Sequence, residues 1–207
     1  MSAIMSTRIK GEDTITLQIK GTGPIGNVVS VFDGNQNIKG YVGEPHVDLP
    51  LREDGKLNVG GAIGKEGFLY VIRDMGLKEP YIGVTPLVSG EIAEDFTKYF
   101  AESEQTPSAV ALGVLVDKNG VKKAGGYLLT LMPDATEDDI KQVEEALKNL
   151  EPVTTMLDKN MSLQEIAEKA TNDDNLMVMV GEIKPKYHCD CSRERFVNNL
   201  KKLSEDD

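Results

Sequence analysis

Thr14-Ile-Thr-Leu-Gln-Ile-Lys20 alternates without a break, with Ile15, Leu17 and Ile19 on one side and Thr14, Thr16, Gln18 and Lys20 on the other. A period of two is the mark of a strand with one buried face. Working outward, Gly21-Thr-Gly-Pro-Ile-Gly26 reads as a turn and Asn27-Val-Val-Ser-Val-Phe32 as the next strand. Gly34-Asn-Gln-Asn37 is a second turn, and Ile38 to Val42 a third strand. Short strands joined by glycine-bearing turns predict an antiparallel meander. Residues 43–80 are expected to continue the strand-and-turn rhythm, with Phe68-Leu-Tyr-Val-Ile72 the clearest strand and Tyr81 to Val88 the next. Ahead of the meander, Met1-Ser-Ala-Ile-Met-Ser-Thr-Arg8 has the small and apolar texture of the tail of a helix.

Beyond Val88 the period changes. Ser89 is the expected N-cap of a helix whose Ile92, Ala93, Phe96, Tyr99 and Phe100 share one face and which ends near Ser103. Val110 to Val116 and Gly126 to Leu131 read as two buried strands, joined through the polar turn Asp117-Lys-Asn-Gly120. After Met132-Pro133 the chain becomes charged and helical. Thr136 with Asp139, and Ser162 with Glu165, are capping-box spacings, and Ile140, Val143, Leu147 and Leu150 form an apolar stripe between acidic faces. A last short helix is expected after Ser192, with Phe196, Val197, Leu200 and Leu203 on one side. The fold class expected is α+β. A sheet-dominated core spans residues 1–133, a helical linker 134–186, and a C-terminal segment 187–207.

Composition narrows the function classes. The chain has 207 residues, 40% hydrophobic and 28% charged, as expected of a globular protein. Lys+Arg 23 against Asp+Glu 34 gives a net charge of −11, which argues against nucleic acid and against anionic membrane as partners. No apolar run approaches the roughly 20 residues of a spanning helix, and no secretory pattern opens the chain, so a cytoplasmic protein is expected.

Four features could carry chemistry. Gly21-x-Gly23-x-x-Gly26 matches the dinucleotide fingerprint in letters, but strand-like Val28, Val29 and Val31 follow it where the fingerprint needs a helix. A hairpin turn accounts for it better. Asp138-Asp139 and Glu144-Glu145 read as a solvated helix face. His46 lies between Pro45 and Val47 without a partner of evident type, whereas His188 adjoins Cys189.

Cys189-Asp-Cys191 is the informative feature, and these are the two cysteines of the chain. A structural zinc site takes four ligands, and this cluster with His188 supplies at most three. The pair can instead close a small, readily reduced disulfide ring, which suits a switch. Arg193, Arg195 and the following helix N-terminus are expected to favour the thiolate. Two inert thiols in a tail is the plain alternative.

His188-Cys-Asp-Cys-Ser-Arg-Glu-Arg-Phe196 resembles the first half of the zinc motif of the 33 kDa chaperonins, the redox-regulated holdases. Gly76-Leu-Lys-Glu-Pro-Tyr-Ile-Gly83, Val88-Ser-Gly-Glu91, Asp95-Phe-Thr-Lys-Tyr-Phe100, Ser103-Glu-Gln-Thr-Pro107 and Ala124-Gly-Gly-Tyr-Leu-Leu-Thr-Leu-Met-Pro133 are similar to the core domain of the same family. The resemblance implies a cytoplasmic chaperone rather than an enzyme, one that binds unfolding client proteins under heat and oxidative stress and is usually a dimer when active. It implies one zinc ion held by a Cys-x-Cys and a later Cys-x-x-Cys, and oxidation of these to two disulfides. Carried onto this sequence, Cys189 and Cys191 are zinc ligands and one redox pair. The chain ends at Ser204-Glu-Asp-Asp207 before any Cys-x-x-Cys, and the family has elements before the stretch matching Met1. A fragment is therefore expected, with half a zinc site and a compromised latch that protects clients even when reduced. A thiol–disulfide oxidoreductase using Cys189 and Cys191, and a zinc-buffering protein, are the competing readings.

Overall fold

The structure is a computed structural model that describes residues 1–173 and 183–201. The alternating stretch is strand β1, Thr14–Gly21, with Ile15, Leu17 and Ile19 at most 5% exposed. It pairs antiparallel with β2, Asn27–Asp33, on one side and with β4, Gly67–Asp74, on the other. Leu17 lies opposite Ser30 and Val71, and Ile19 opposite Val28 and Leu69. A slip of one residue in either pairing would turn the apolar set to the wrong face. Strand β3, Asn37–Val42, extends the sheet beyond β2, and β5, Tyr81–Pro86, extends it beyond β4. A two-residue strand β8, Lys186–Tyr187, adds in parallel to β3, so the order is β5-β4-β1-β2-β3-β8. The expected meander is present, in an α+β fold dominated by sheet.

Three helices take up positions around the inner face. Helix α1, Ser2–Met5, continues as a 3-10 turn at Ser6–Arg8 and contributes Met5. Helix α2, Val59–Ile63, contributes Ile63, and α3, Ile92–Glu102, contributes Phe96, Tyr99 and Phe100. The α3 rings meet edge to face, Tyr99 and Phe100 at 5.5 Å between centroids and Phe96 and Tyr99 at 6.3 Å. Each such buried side chain contributes about 1.5–3 kcal/mol through removal from water, and the tilted ring contacts add to that. The far end of α3 is fixed by Glu104, which accepts from Tyr99 and pairs with Arg73 of β4 at 2.8 Å.

Three local expectations are corrected. Ser89 is not the N-cap of α3, because the helix begins at Ile92 with Glu91 at the cap position and no side-chain cap. The carboxylate of Asp95, 1% exposed, reaches back instead and accepts from the backbone N–H groups of Val88 at 2.7 Å and Ser89 at 3.3 Å. Ser89 Oγ accepts from the Glu91 N–H, closing a turn rather than opening a helix. The strand-and-turn rhythm of 43–80 is interrupted by α2, whose five residues Val-Gly-Gly-Ala-Ile are too few to show a helical period. Its one local signal is Asn58, which accepts from the Gly61 N–H at 2.9 Å. The third correction concerns β6, Ser108–Asp117, and β7, Gly120–Thr130, which form a separate two-stranded sheet. They run longer than expected and are not fully buried: Val114, Val116 and Val121 near the tip are exposed.

The charged helical region packs on that hairpin. Helix α4, Glu137–Asn149, and α6, Leu163–Thr171, begin at Thr136 and Ser162, and both capping boxes form reciprocally. The threonine and serine hydrogen bonds hold the Asp139 and Glu165 carboxyls below their ordinary range. Between them α5, Val153–Asp158, not foreseen from the sequence, lies against β6 and β7 where Gly113 and Gly125 leave room. Val153, Met156 and Ile166 form a second apolar cluster there with Tyr127, Leu150, Leu157 and Met161.

The Gly21–Gly26 turn has a structural purpose. A Cβ on Gly21 would stand 2.0 Å from the Ile63 carbonyl oxygen, and one on Gly23 2.3 Å from that of Ala62. The Gly23 and Ile25 N–H groups donate to those same carbonyls, at 2.7 Å from Ile63 O and 3.0 Å from Ala62 O. The glycines therefore admit helix α2 and not a pyrophosphate. Gly23→Ala is expected to destabilise the protein by about 1–3 kcal/mol, as overpacking against rigid backbone does, read as a lowered midpoint in urea. An unchanged midpoint would contradict this packing.

Candidate thiol site

The site is built from the β2–β3 turn upward. Asp33 closes that turn, its carboxylate accepting from the N–H groups of Asn35 and Asn37, both at 2.9 Å, and from Asn37 Nδ2 at 3.0 Å. Partial burial opposes ionisation, but the hydrogen bonds from Asn37 and Asn35 and the charge of Lys39 prevail and keep the Asp33 carboxyl low. Gln36 takes a left-handed conformation at φ 70°. It presents its carbonyl to the Lys186 N–H at 2.8 Å and its side-chain Oε1 to the Lys184 N–H at 3.0 Å. One step along β3, the Ile38 carbonyl accepts from the His188 N–H at 3.0 Å. These bonds are strand β8, and they bring the cysteine segment to the edge of the main sheet.

Side chains add a second attachment. Asp190, the residue between the two cysteines, pairs with Lys39 of β3 and with Arg195 of helix α7, Arg193–Leu200. Lys39 is 33% exposed and Asp190 40%. Ion pairs so open to solvent contribute about 0–1 kcal/mol, and each backbone hydrogen bond about 0.5–1.5 kcal/mol, so the segment is held lightly. A cleft of about 260 Å³ lies beside this contact, lined by Asp33, Asn37, Lys39, His188, Asp190 and Arg195 among others. As expected, Ser192 caps α7, its Oγ accepting from the Arg195 N–H at 3.1 Å. The apolar side of α7 is exposed at Phe196, Val197 and Leu200, while Leu203 lies outside the described residues.

Cys189 and Cys191 are exposed free thiols. Cys191 donates to Cys189 through its thiol and backbone N–H, and with the charges of Lys39 and Arg195 this draws the Cys189 thiol below its ordinary range. The same contact pushes the Cys191 thiol up. The charges acting on Cys189 are thus Lys39 and Arg195, where the sequence suggested Arg193 and Arg195. Lys39 lies 150 residues away in the chain, and only the β3–β8 pairing reveals it.

His46 sits in an exposed turn whose N–H donates to Glu44. Asp139 is the capping partner of Thr136, Asp138 pairs with Lys141 on the solvated face, and Glu144 and Glu145 are exposed on the same helix. Among the described residues no three His, Cys, Asp or Glu side chains converge as a metal cluster. Cys189 and Cys191 are soft ligands of the right type for zinc, yet they furnish only two of the four a structural site takes. No helix among the described residues is long and apolar enough to cross a membrane.

Comparison with known proteins settles the lineage. The model of the Hsp33 protein family matches residues 1–207. The chain belongs to the Hsp33 family. It is 47% identical to the 33 kDa chaperonin of Clostridium botulinum strain Eklund 17B over 206 residues, 99% of this chain and 70% of that protein. To the 33 kDa chaperonin of Acetivibrio thermocellus it is 48% identical over 208 residues, 100% of this chain and 70% of that protein. The crystal structure of the 33 kDa chaperonin of Thermotoga maritima superposes with a TM-score of 0.87 at 39% identity, covering 99% of this chain and 70% of that one.

Because the Cys189 thiol is drawn down and that of Cys191 pushed up, iodoacetamide at neutral pH is expected to label Cys189 first. Peptide mapping by mass spectrometry at short times checks this, and equal labelling would contradict the described asymmetry.

Proposed function

We propose that the chain acts as a molecular chaperone of the holdase type, binding unfolding proteins in the cytoplasm and preventing their aggregation under oxidative and heat stress. Its Hsp33 membership, with relatives named 33 kDa chaperonin, supports this. The observation that carries the redox part is the pair of exposed thiols on a lightly held segment at the sheet edge. In this reading Cys189 and Cys191 are the redox switch. Peroxide takes two electrons and two protons from the thiols, a sulfur–sulfur bond forms, and the peroxide leaves as two waters. Cys189, with its lowered thiol, is the first to attack, since the thiolate is the nucleophile.

The same two thiols are proposed as two ligands of one zinc ion, with further ligands from outside the described residues. Zinc, when bound, would supply folding free energy to the segment. Clients are proposed to bind exposed apolar surface, which the sheet offers on its outer face at Phe68, Ile82 and Val84. A homodimer is the proposed active form, and no catalytic residues are assigned. A second reading, thiol–disulfide oxidoreductase, draws on the lowered Cys189 thiol beside Cys191. It requires repeated turnover in an insulin-reduction assay, where the holdase reading gives none.

Light scattering from a thermally unfolding client tests the proposal. The protein is expected to suppress scattering at roughly stoichiometric amounts, more strongly after peroxide than under reductant. Equal suppression in both states would overturn the switch, and no suppression by the folded protein in either would overturn the chaperone function.

A further inference from the structure

We propose that the outer edge of β5 binds an extended segment of an unfolding client as an added antiparallel strand, held through the backbone of Ile82 and Val84. The proposal rests on the chaperone reading above and names the conformation in which a client is taken. The pairing with β4 decides which backbone groups are free. The Leu87 N–H donates to the Gly67 carbonyl at 3.0 Å, so Gly67 and Leu87 form a hydrogen-bonded pair. Bonded and non-bonded pairs alternate along an antiparallel ladder. In this register Leu69–Thr85, Val71–Gly83 and Arg73–Tyr81 are therefore the bonded pairs, whereas Tyr70–Val84 and Ile72–Ile82 are not. The N–H and C=O groups of Ile82 and Val84 consequently point away from β4, and β5 is the last strand of the sheet on that side. Among the described residues nothing bonds to them from outside.

An exposed strand edge is ordinarily guarded by charged side chains or covered by another element. The opposite edge of this sheet, β3, is covered by β8. Strand β5 has neither protection, since no charged residue occurs between Glu79 and Glu91. Its prolines stand at the two ends, Pro80 just before the strand and Pro86 at its last position. They limit any pairing to the few residues between them. The strand is fixed from below: a Cβ on Gly83 would lie 2.8 Å from the Tyr99 ring, and Thr85 is buried. The free groups are thus already in place before a partner arrives. Ile82 and Val84 are exposed on the outer face, where Phe68 lies opposite Pro86. Directly opposed residues of an antiparallel pair share a face, so each client residue bonded to Ile82 or Val84 lays its side chain on that apolar surface. The edge therefore fits an extended chain with an apolar residue at every second position and its own backbone groups unpaired. Bonds to backbone leave the rest of the client sequence open.

Amide hydrogen exchange on the intact chain in reductant, read by NMR with a short end-blocked peptide of alternating threonine and valine, tests the proposal. At a peptide concentration ten times its dissociation constant, exchange at Ile82 and Val84 is expected to slow about tenfold, the effect of mass action. The same peptide N-methylated at its valines should slow neither amide. Val84→Pro removes an outward N–H that the ladder with β4 does not use, and should weaken binding of the labelled peptide about tenfold or more. Val84→Thr keeps the N–H and the branched shape, and should bind within about threefold of the unsubstituted chain. Slow exchange at Ile15, Leu17 and Ile19 checks that each variant is folded, and the N-methylated peptide decides the matter on the unsubstituted chain if Val84→Pro is not. Unchanged exchange at Ile82 and Val84, equal slowing by the N-methylated peptide, or Val84→Thr as weak as Val84→Pro would each overturn the proposal. So would slowing that grows with protein concentration without peptide, which would give the edge to a second copy of the chain. Peptide on the edge of a chain that suppresses no client scattering would overturn the chaperone reading alone. Suppression without peptide on the edge would overturn the edge site alone.

Discussion

Burial of three alternate residues, Ile15, Leu17 and Ile19, is the constraint from which the rest of the structure follows. Because they must all face the α3 aromatics, the register of β1 with β2 and with β4 is fixed on both sides. Strand β3 hangs on β2, and β8 on β3. The cysteines are thus positioned by a chain of backbone pairings that starts in the core and ends at a sheet edge. Stability falls along the same path. Strand β1 is surrounded by fully buried side chains, whereas β8 has two residues, both exposed, and an ion pair open to water.

Under the proposed function, this gradient lets the outer segment respond while the core does not. A thiol buried in the apolar cluster would be protected from oxidants and held protonated by desolvation. At the edge it is accessible, and it has cationic side chains nearby. The cost is that the segment contributes little to folding, which is consistent with a part that can leave its place without unfolding the sheet.

Much of this was legible in the sequence, for identifiable reasons. The alternation of 14–20 and the helical spacing of Phe96, Tyr99 and Phe100 are strong periodic signals, and both appear as expected. So do the capping boxes at Thr136 and Ser162, because cap and partner lie three residues apart. Local chemistry was harder to weigh where two residues competed: Ser89 looked like the cap of α3, but the buried Asp95 carboxylate takes that task from inside the helix. Helices α2 and α5 are too short for a period to show. What no local pattern could give is the placement of Cys189 and Cys191. Their sequence offers a redox or metal-binding pair beside the plain alternative of two inert thiols, while Gln36 and Lys39, which receive the segment, are ordinary hairpin residues until the fold brings the two stretches together.

The central claim is that a chaperone activity is governed by these two thiols. Client light scattering with Cys189→Ser and Cys191→Ser combined, before and after peroxide, addresses it most directly. The account predicts that the double variant protects clients equally in both conditions, with the response to peroxide abolished. A double variant whose protection still rises on peroxide treatment, as strongly as that of the unsubstituted chain, would contradict it.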